Sequence, residues 1–313
     1  LLVTGACGFI GRSIVEAADK WGYEAFGVGR YQPDNRVPGI TYFDCGIRDE
    51  LGMVDVFNAV KPHVVSHQAG TASVEHARLH PNEAVSVNVT GTSVVADLCQ
   101  QHNSKLVLAS THAVYGNLDA DRRPFKETDT VNPQSMYAAS KRAAELVVCA
   151  APLNHSVILR YGNVYGVGQR HGLFPAISKA ELSGEPLRLS SPLDSTRDYI
   201  HIDDLVHKHF TLLAGPYFTP GTIFNVGSGI ARTLGDVLDV ASLFAKFTTV
   251  SDCGLIGDAV KYTALNVSAL SWGSVLKRPP ANFVQSVKAT LESLQLPLEF
   301  DEFPMPMSEP FST

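Results

Sequence analysis

No stretch of this chain approaches the roughly 20 consecutive apolar residues that a membrane span requires, so no membrane association is expected. A dominant charge is also missing. The 25 Lys and Arg face 31 Asp and Glu, for a net charge of −6, with both signs scattered along the chain. That excludes a general electrostatic grip on nucleic acid or on an anionic membrane surface. Cysteine is scarce: Cys7, Cys45, Cys99, Cys149 and Cys253 are odd in number, widely spaced, and form no metal-ligand or redox pair. They read as the reduced thiols of a cytoplasmic protein. His76 and His80 stand four apart, but no acid sits where a metalloprotease pattern needs one, so they read as surface histidines and no metal site is expected. No secretory leader and no internal repeat are visible in the given residues, and Leu1 already falls inside a predicted strand, as expected if residues precede it.

What is present is a chain of 313 residues, 45% hydrophobic, enough for one large domain or two closely coupled ones. Short apolar runs at 1–4, 25–28, 40–43, 63–67, 105–109 and 157–160 alternate with helical stretches at 10–21, 50–60, 83–101 and 137–150. This cadence predicts a parallel sheet with helices on both faces, since parallel strands need long crossovers. The near-continuous apolarity of the strands agrees with burial on two sides. After Arg160 the rhythm changes, with Gly166, Gly168, Gly172, Pro175, Gly184, Pro186 and Pro192 crowding together. The expected fold is therefore α/β, a Rossmann-type doubly wound parallel sheet over residues 1–165. A smaller α/β substrate-binding lobe follows over 166–313, with segments around 197–229 returning to the first unit. The tail from Leu296, with Pro297, Pro304, Pro306 and Pro310, cannot propagate a helix.

The first strand runs into "TGACGFIG", with Gly5, Gly8 and Gly11 three apart. Such a turn lets backbone approach a pyrophosphate, which the following helix N-terminus favours. Cys7 reads as a small filler within it. At the end of the second strand, where a carboxylate would accept the ribose hydroxyls of NAD, the chain has Gly29 and Arg30, with Arg12 and Arg36 as further cations. A guanidinium without a competing carboxylate suits a 2′-phosphate, so NADP is favoured over NAD. "YAASK" places Tyr137 and Lys141 one turn apart on a predicted helix. A phenol near pKa 10 is a poor base at neutral pH, and a neighbouring ammonium favours its ionised form.

With these residues in place the chain resembles the extended short-chain dehydrogenase/reductase family, the NAD(P)-dependent sugar-nucleotide epimerases and dehydratases. Its GxxGxxG turn, here with Phe9 and Ile10 before Gly11, is similar to that family's "TGxxGFIG". "HQAG" brings Gln68, Ala69 and Gly70 to the turn beneath the cofactor, and the resemblance puts Asp44, in the separate segment "DCGI", on the adenine side. The resemblance makes Thr111, in "ASTHAVYG", the third member of a Thr–Tyr–Lys set, and makes Asn88 a supporting residue of the cofactor site. "LRYGNVYG" and "TRDYIHIDDLV" resemble segments in which Asn163 contacts the sugar nucleotide and Arg197 its diphosphate; "FNVGSG" is a further landmark. Tyr262 falls where some of the family's 4-epimerases close the sugar pocket. The implied substrate is a nucleotide sugar, a UDP-hexose first, and the implied assembly is a homodimer through helices 83–101 and 137–150. Where family dehydratases carry acids after the Ser or Thr, this chain has His112 and Ala113, which demotes dehydration. That leaves 4-epimerisation by oxidation at C4, rotation and hydride return. An NADPH-dependent 4-ketoreductase of a nucleotide-linked deoxysugar is the alternative that Arg30 raises. Two departures stand out: Leu255 and Ile256 precede Gly257-Asp258 where an arginine is usual, with Lys261 as a substitute charge, and Gly162 replaces a phenylalanine, which is expected to leave room for an altered substrate.

Overall fold

The computed structural model describes residues 1–30, 36–117, 123–251, 262–268 and 280–295. The expectations placed on Cys253, on Leu255 to Asp258, on Lys261 and on the tail from Leu296 lie outside the described residues.

Strands β1 (Leu2–Thr4), β2 (Phe26–Gly29), β3 (Thr41–Asp44), β4 (Val64–His67), β5 (Lys105–Thr111), β6 (Ser156–Tyr161) and β10 (Thr222–Val226) form one sheet in the order β10-β6-β5-β4-β1-β2-β3. Every pairing in it is parallel. Side chains alternate across the sheet, as a period of two dictates. Val3, Val107, Val157 and Leu159 join Ile14, Leu205 and Phe210 on one face. On the other, Leu2, Leu106, Leu108 and Ile158 meet Met53, Phe57, Leu98 and Val148. Both faces are covered by helices, so the strands read as continuous apolar runs. Helices α1 (Phe9–Ala17) and α8 (Ile202–Ala214) lie against the first face; α2 (Glu50–Val60), α5 (Gly91–Gln101) and α6 (Met136–Ala150) lie against the second.

The helix expected over 83–101 is not continuous. After α3 (Val74–Leu79), α4 (Pro81–Val85) gives way to a π-helical turn, Ser86–Thr90, before α5 begins at Gly91. Such widened turns are frequent at functional sites, and this one carries Asn88 into the interior, where it is 2% exposed.

The remaining described elements build a second layer. Strand β9 (Thr196–His201) pairs with β7 (Asn163–Tyr165), β11 (Ala231–Thr233) and β13 (Tyr262–Thr263). Short strands β8 (Leu187–Leu189) and β12 (Thr249–Ser251) pair beside it. Helices α7 (Leu173–Ser183), α9 (Leu234–Ser242) and α10 (Phe283–Gln295) enclose a separate core of Phe174, Ile177, Val237, Val287 and Leu291. Gly162 does not open space for substrate. A Cβ there would lie 2.7 Å from the Asp198 carbonyl oxygen, so the absent side chain is filled by the backbone of β9.

Candidate active site

The carboxyl ends of the central strands line up: Thr4 stands opposite His67, His67 opposite Leu108, and Thr111 opposite Tyr161. The strand order reverses between β1 and β4, and such a switch point opens a crevice in a doubly wound sheet.

The glycine turn enters this crevice from β1. Gly5 adopts φ +66°, and a Cβ on it would lie 2.8 Å from Ala69, so only glycine lets the turn sit against the 68–70 segment. The Gly8 amide donates to the Gly5 carbonyl at 2.9 Å, and a side chain on Gly11 would collide with that same carbonyl. Helix α1 starts here with no acidic residue in its first turn, so its positive end is unopposed. Cys7 lies within the fields of Arg36, Arg12 and Asp44; burial nevertheless pushes its thiol up from the ordinary value. The two arginines therefore flank the turn. Arg30 follows β2 in the open, its stem against Gly46, and Asp44 ends β3 opposite Gly29.

Two buried polar atoms at this crevice have no hydrogen-bond partner: Gln68 Oε1 and Arg12 Nε. The Gln68 amide nitrogen is committed to Ser66 Oγ at 3.0 Å and more loosely to the Tyr161 hydroxyl at 3.4 Å. A close-approach glycine cradle, an unopposed helix end and two orphaned polar atoms fit a bound dinucleotide.

Beneath the crevice lies a chain of hydrogen bonds. His67 bridges Thr4 Oγ1 (2.7 Å) and Thr92 Oγ1 (3.1 Å), and Thr92 donates to the Asn88 carbonyl. Burial, then the charge of Lys141, brings His67 down to about 3, so it is neutral. Asn88 accepts from the Thr71 amide and donates to the Ser140 hydroxyl, at 2.8 and 2.9 Å. The π-turn thus reaches both the 68–71 segment and α6.

On α6, Tyr137 is partly buried and Lys141 only 6% exposed. Lys141 Nζ donates to the Ala109 carbonyl at 2.8 Å. Burial brings Lys141 down to about 8, against the opposing charge of Glu145. Burial also pushes the Tyr137 phenol above its ordinary value, with a hydrogen bond to Thr111 acting the other way. Lys141 is held on Ala109, and the Thr111 hydrogen bond works against burial to favour the phenolate.

Thr111 ends β5 and caps a single 3-10 turn, His112–Tyr115, by accepting from the Ala113 amide at 3.2 Å. His112 is 8% exposed, and its Nδ1 lies 2.9 Å from the Tyr161 carbonyl. A carbonyl only accepts, so Nδ1 carries the proton and Nε2 offers a lone pair. Burial takes His112 down to about 4 despite that bond, and the charge of Arg197 lowers it further. Arg197 is itself 8% exposed on β9 and donates from Nη1 to the Thr196 carbonyl at 3.0 Å. Asn163 lies on β7 opposite Tyr199, and the backbone of Tyr262 pairs with Thr196.

Residues that motif reading did not single out are prominent here. Asp198 is fully buried and accepts from the Ser228 amide and hydroxyl and from the Gly229 amide, at 2.7, 2.8 and 2.9 Å. It holds the "FNVGSG" turn against β9, and burial raises its carboxyl despite these donors. Glu145 and Arg160 form a buried pair beneath Thr111. The available signal for Glu145 was its spacing, one turn beyond Lys141 as Lys141 is one turn beyond Tyr137. His76 pairs with Glu83 at 3.1 Å, away from the crevice.

A parallel sheet with a glycine turn at its switch point, and a Thr, a Tyr and a Lys gathered beside it, defines a dinucleotide-binding protein of the short-chain dehydrogenase type. The model of the NAD dependent epimerase/dehydratase family matches residues 1–227, and the chain belongs to that family. A UDP-glucose 4-epimerase of Mycolicibacterium smegmatis is 30% identical over 246 residues, 73% of this chain and 77% of that protein. A dTDP-glucose 4,6-dehydratase of the same organism is 31% identical over 229 residues; the match spans 65% of each chain. Among solved structures, Thermus thermophilus UDP-glucose 4-epimerase in complex with NAD superposes with a TM-score of 0.82 at 29% identity, over 95% of this chain and 99% of that one. The Thermotoga maritima UDP-glucose 4-epimerase with UDP-glucose gives 0.82 at 25% identity, over 94% and 98%.

Proposed function

We propose that this chain is an NAD(P)-dependent nucleotide-sugar 4-epimerase acting on a UDP-hexose. In this reading Gly5, Gly8, Phe9, Ile10 and Gly11 hold the pyrophosphate, Asp44 lies towards the adenine, and Gln68, Ala69, Gly70 and Asn88 form the floor of the cofactor site. When bound, the nicotinamide supplies a hydride acceptor and then a donor at one sugar carbon. Thr111 holds the C4 hydroxyl, and Tyr137 takes its proton as the C–H bond gives up hydride. Lys141 contributes positive charge that favours the phenolate. Once the 4-keto sugar has turned over, Tyr137 would give the proton back to its C4 oxygen, so that the net change is an inversion at C4. Asn163 and Arg197 hold the nucleotide end, with Tyr262 at the sugar pocket.

The observation that carries 4-epimerisation over dehydration is the pair after Thr111. Ala113 has no proton to move, and His112 is neutral with Nδ1 already engaged. Elimination of water needs both a base and an acid, and one such imidazole does not supply them. The two UDP-glucose 4-epimerases that superpose with this chain support the choice of substrate class.

Arg12 and Arg36 flanking the turn, with Arg30 after β2, support NADP as the dinucleotide. They also favour the second reading, an NADPH-dependent 4-ketoreductase of a nucleotide-linked deoxysugar. One experiment separates the two. The purified protein is denatured, any released dinucleotide is identified by mass, and UDP-glucose is supplied to the native protein. Retained oxidised cofactor with formation of UDP-galactose supports the epimerase. An empty site that binds NADPH reversibly and leaves UDP-glucose unchanged replaces it with the reductase.

The reading includes a dinucleotide-binding unit over 1–165, a substrate lobe over 166–313, and a cytoplasmic homodimer. Leu79, Val85, Met136 and Leu146 are exposed on α3, α4 and α6 and supply an apolar face for a second copy. Sedimentation as a monomer at micromolar concentration would end the dimer proposal.

A further inference from the structure

Glu145 takes no part in the reaction just described, yet it sits one turn beyond Lys141, as Lys141 sits one turn beyond Tyr137. Its side chain is wholly buried. Oε1 accepts from Ser110 Oγ at 2.5 Å and Arg160 Nε at 2.9 Å; Oε2 accepts from Arg160 Nη2 and Arg142 Nη1, both at 2.8 Å. Four hydrogen bonds thus reach one carboxylate from β5, β6 and α6. A buried ion pair is a poor device for stability alone, because well-packed apolar side chains commonly serve as well or better. Its placement gives a different reason. Ser110 immediately precedes Thr111, so the same carboxylate grips the strand that ends in Thr111 and the helix that carries Tyr137 and Lys141.

We propose that Glu145 is a positioning residue: it locks α6 onto β5 so that Tyr137 meets Thr111, and it sets an anion one helical turn from the Lys141 side chain. The proposal rests on the Thr–Tyr–Lys reading given above. Lys141 faces neutral His67 from β4, the Ala109 carbonyl from β5, and Tyr137 and Glu145 on its own helix. Among the groups acting on it, Glu145 is the one that raises its affinity for a proton. Glu145 in turn faces Arg160 from β6, Ser110 from β5, and Arg142 and Cys149 on its own helix. Although burial pushes the Glu145 carboxyl up, Arg160 first, then Ser110 and Arg142, hold it below the ordinary range. The carboxylate therefore stays ionised wherever the enzyme works.

The test follows the lysine itself. In protein carrying 13C at the lysine ε-carbons, the Lys141 signal is identified by its loss in Lys141→Met and titrated by NMR. Glu145→Gln is expected to lower the Lys141 midpoint by about one pH unit or more. The alkaline limb of kcat should move down with it while KM for the nucleotide sugar changes little. Arg142→Leu, at a partly exposed position, removes a cation beside the carboxylate and is expected to raise the midpoint. A Lys141 midpoint that stays put in a folded Glu145→Gln overturns the proposal, even if activity falls. Should Glu145→Gln fail to fold, an unmoved midpoint in Arg142→Leu overturns it equally. If no nucleotide sugar is turned over, the 4-epimerase reading fails, and the NMR midpoints still decide the role of Glu145.

Discussion

Replacing Gly70 by alanine tests whether the cofactor floor and the lysine share one tightly packed space. A Cβ at this position would lie 2.8 Å from Asn88 Oδ1 and 3.1 Å from Lys141 Nζ. Neither neighbour yields easily. Asn88 is 2% exposed and bonded to the Thr71 amide, the Thr71 carbonyl and Ser140. Lys141 is anchored on Ala109. Overpacking of this kind costs about 1–3 kcal/mol, and weakening the Asn88–Thr71 contacts adds about 1 kcal/mol. The expected loss of stability is therefore about 2–4 kcal/mol. A displacement of Lys141 on the order of 1 Å should lower kcat about 100-fold. Urea denaturation reads the first quantity and turnover at saturating dinucleotide reads the second. Adding Asn88→Ala should make the two stability losses sub-additive, since it removes the atom that the new methyl strikes. Wild-type stability and wild-type kcat in Gly70→Ala would refute the packing argument outright.

Three other perturbations have definite expected outcomes. His67, His112 and His209 are buried and brought down to about 3, 4 and 4, by burial above all. The unfolded chain binds their protons below about pH 6.5, whereas the folded one does not. Stability is complete above that pH and drains away as the pH falls towards 4, by on the order of 5 kcal/mol at about pH 5; a denaturation midpoint equal at about pH 7.5 and 5 would contradict this. Tyr137→Phe should cut turnover by about 10²–10⁴-fold with the melting temperature and dinucleotide affinity unchanged, and retained turnover would remove Tyr137 from the reaction. Gly162→Phe, which restores the family's residue, should destabilise by about 3 kcal/mol or more because Asp198 backbone occupies the site; a fully stable variant with a changed sugar preference would show that the space is open after all.

The strands and crossover helices of the first half were legible because two-sided burial writes itself as apolar runs, and α2 falls at the expected residues, Glu50–Val60. The glycine turn and the Tyr137–Lys141 pair were legible for a related reason: each uses one local spacing. What stayed hidden depends on contacts between distant segments. Nothing in "EAVSVNVTGT" announces a π-turn, since the widening serves Asn88, whose partners are Thr71 and Ser140. The proton on His112 Nδ1 is fixed by a carbonyl 49 residues away. Gly162 was misread because its reason is the backbone of Asp198, which no local pattern reports. The short strands of the second layer draw their order from β9, which pairs with three partners far apart in sequence.

The position of β10 has a consequence for how this chain must be made. Strand β6 is buried along its whole length, and one side of it is completed by Thr222–Val226, more than sixty residues after β6 ends at Tyr161. During synthesis the first six strands can assemble while β6 still presents an open row of amides and carbonyls flanked by apolar side chains. Such an edge is a template for pairing with another chain, and slow, long-range closure prolongs the exposure. A fragment ending just after β6 would carry that edge permanently. It should aggregate where the longer chain does not, so the last strand of the sheet acts as a late seal on the nascent protein.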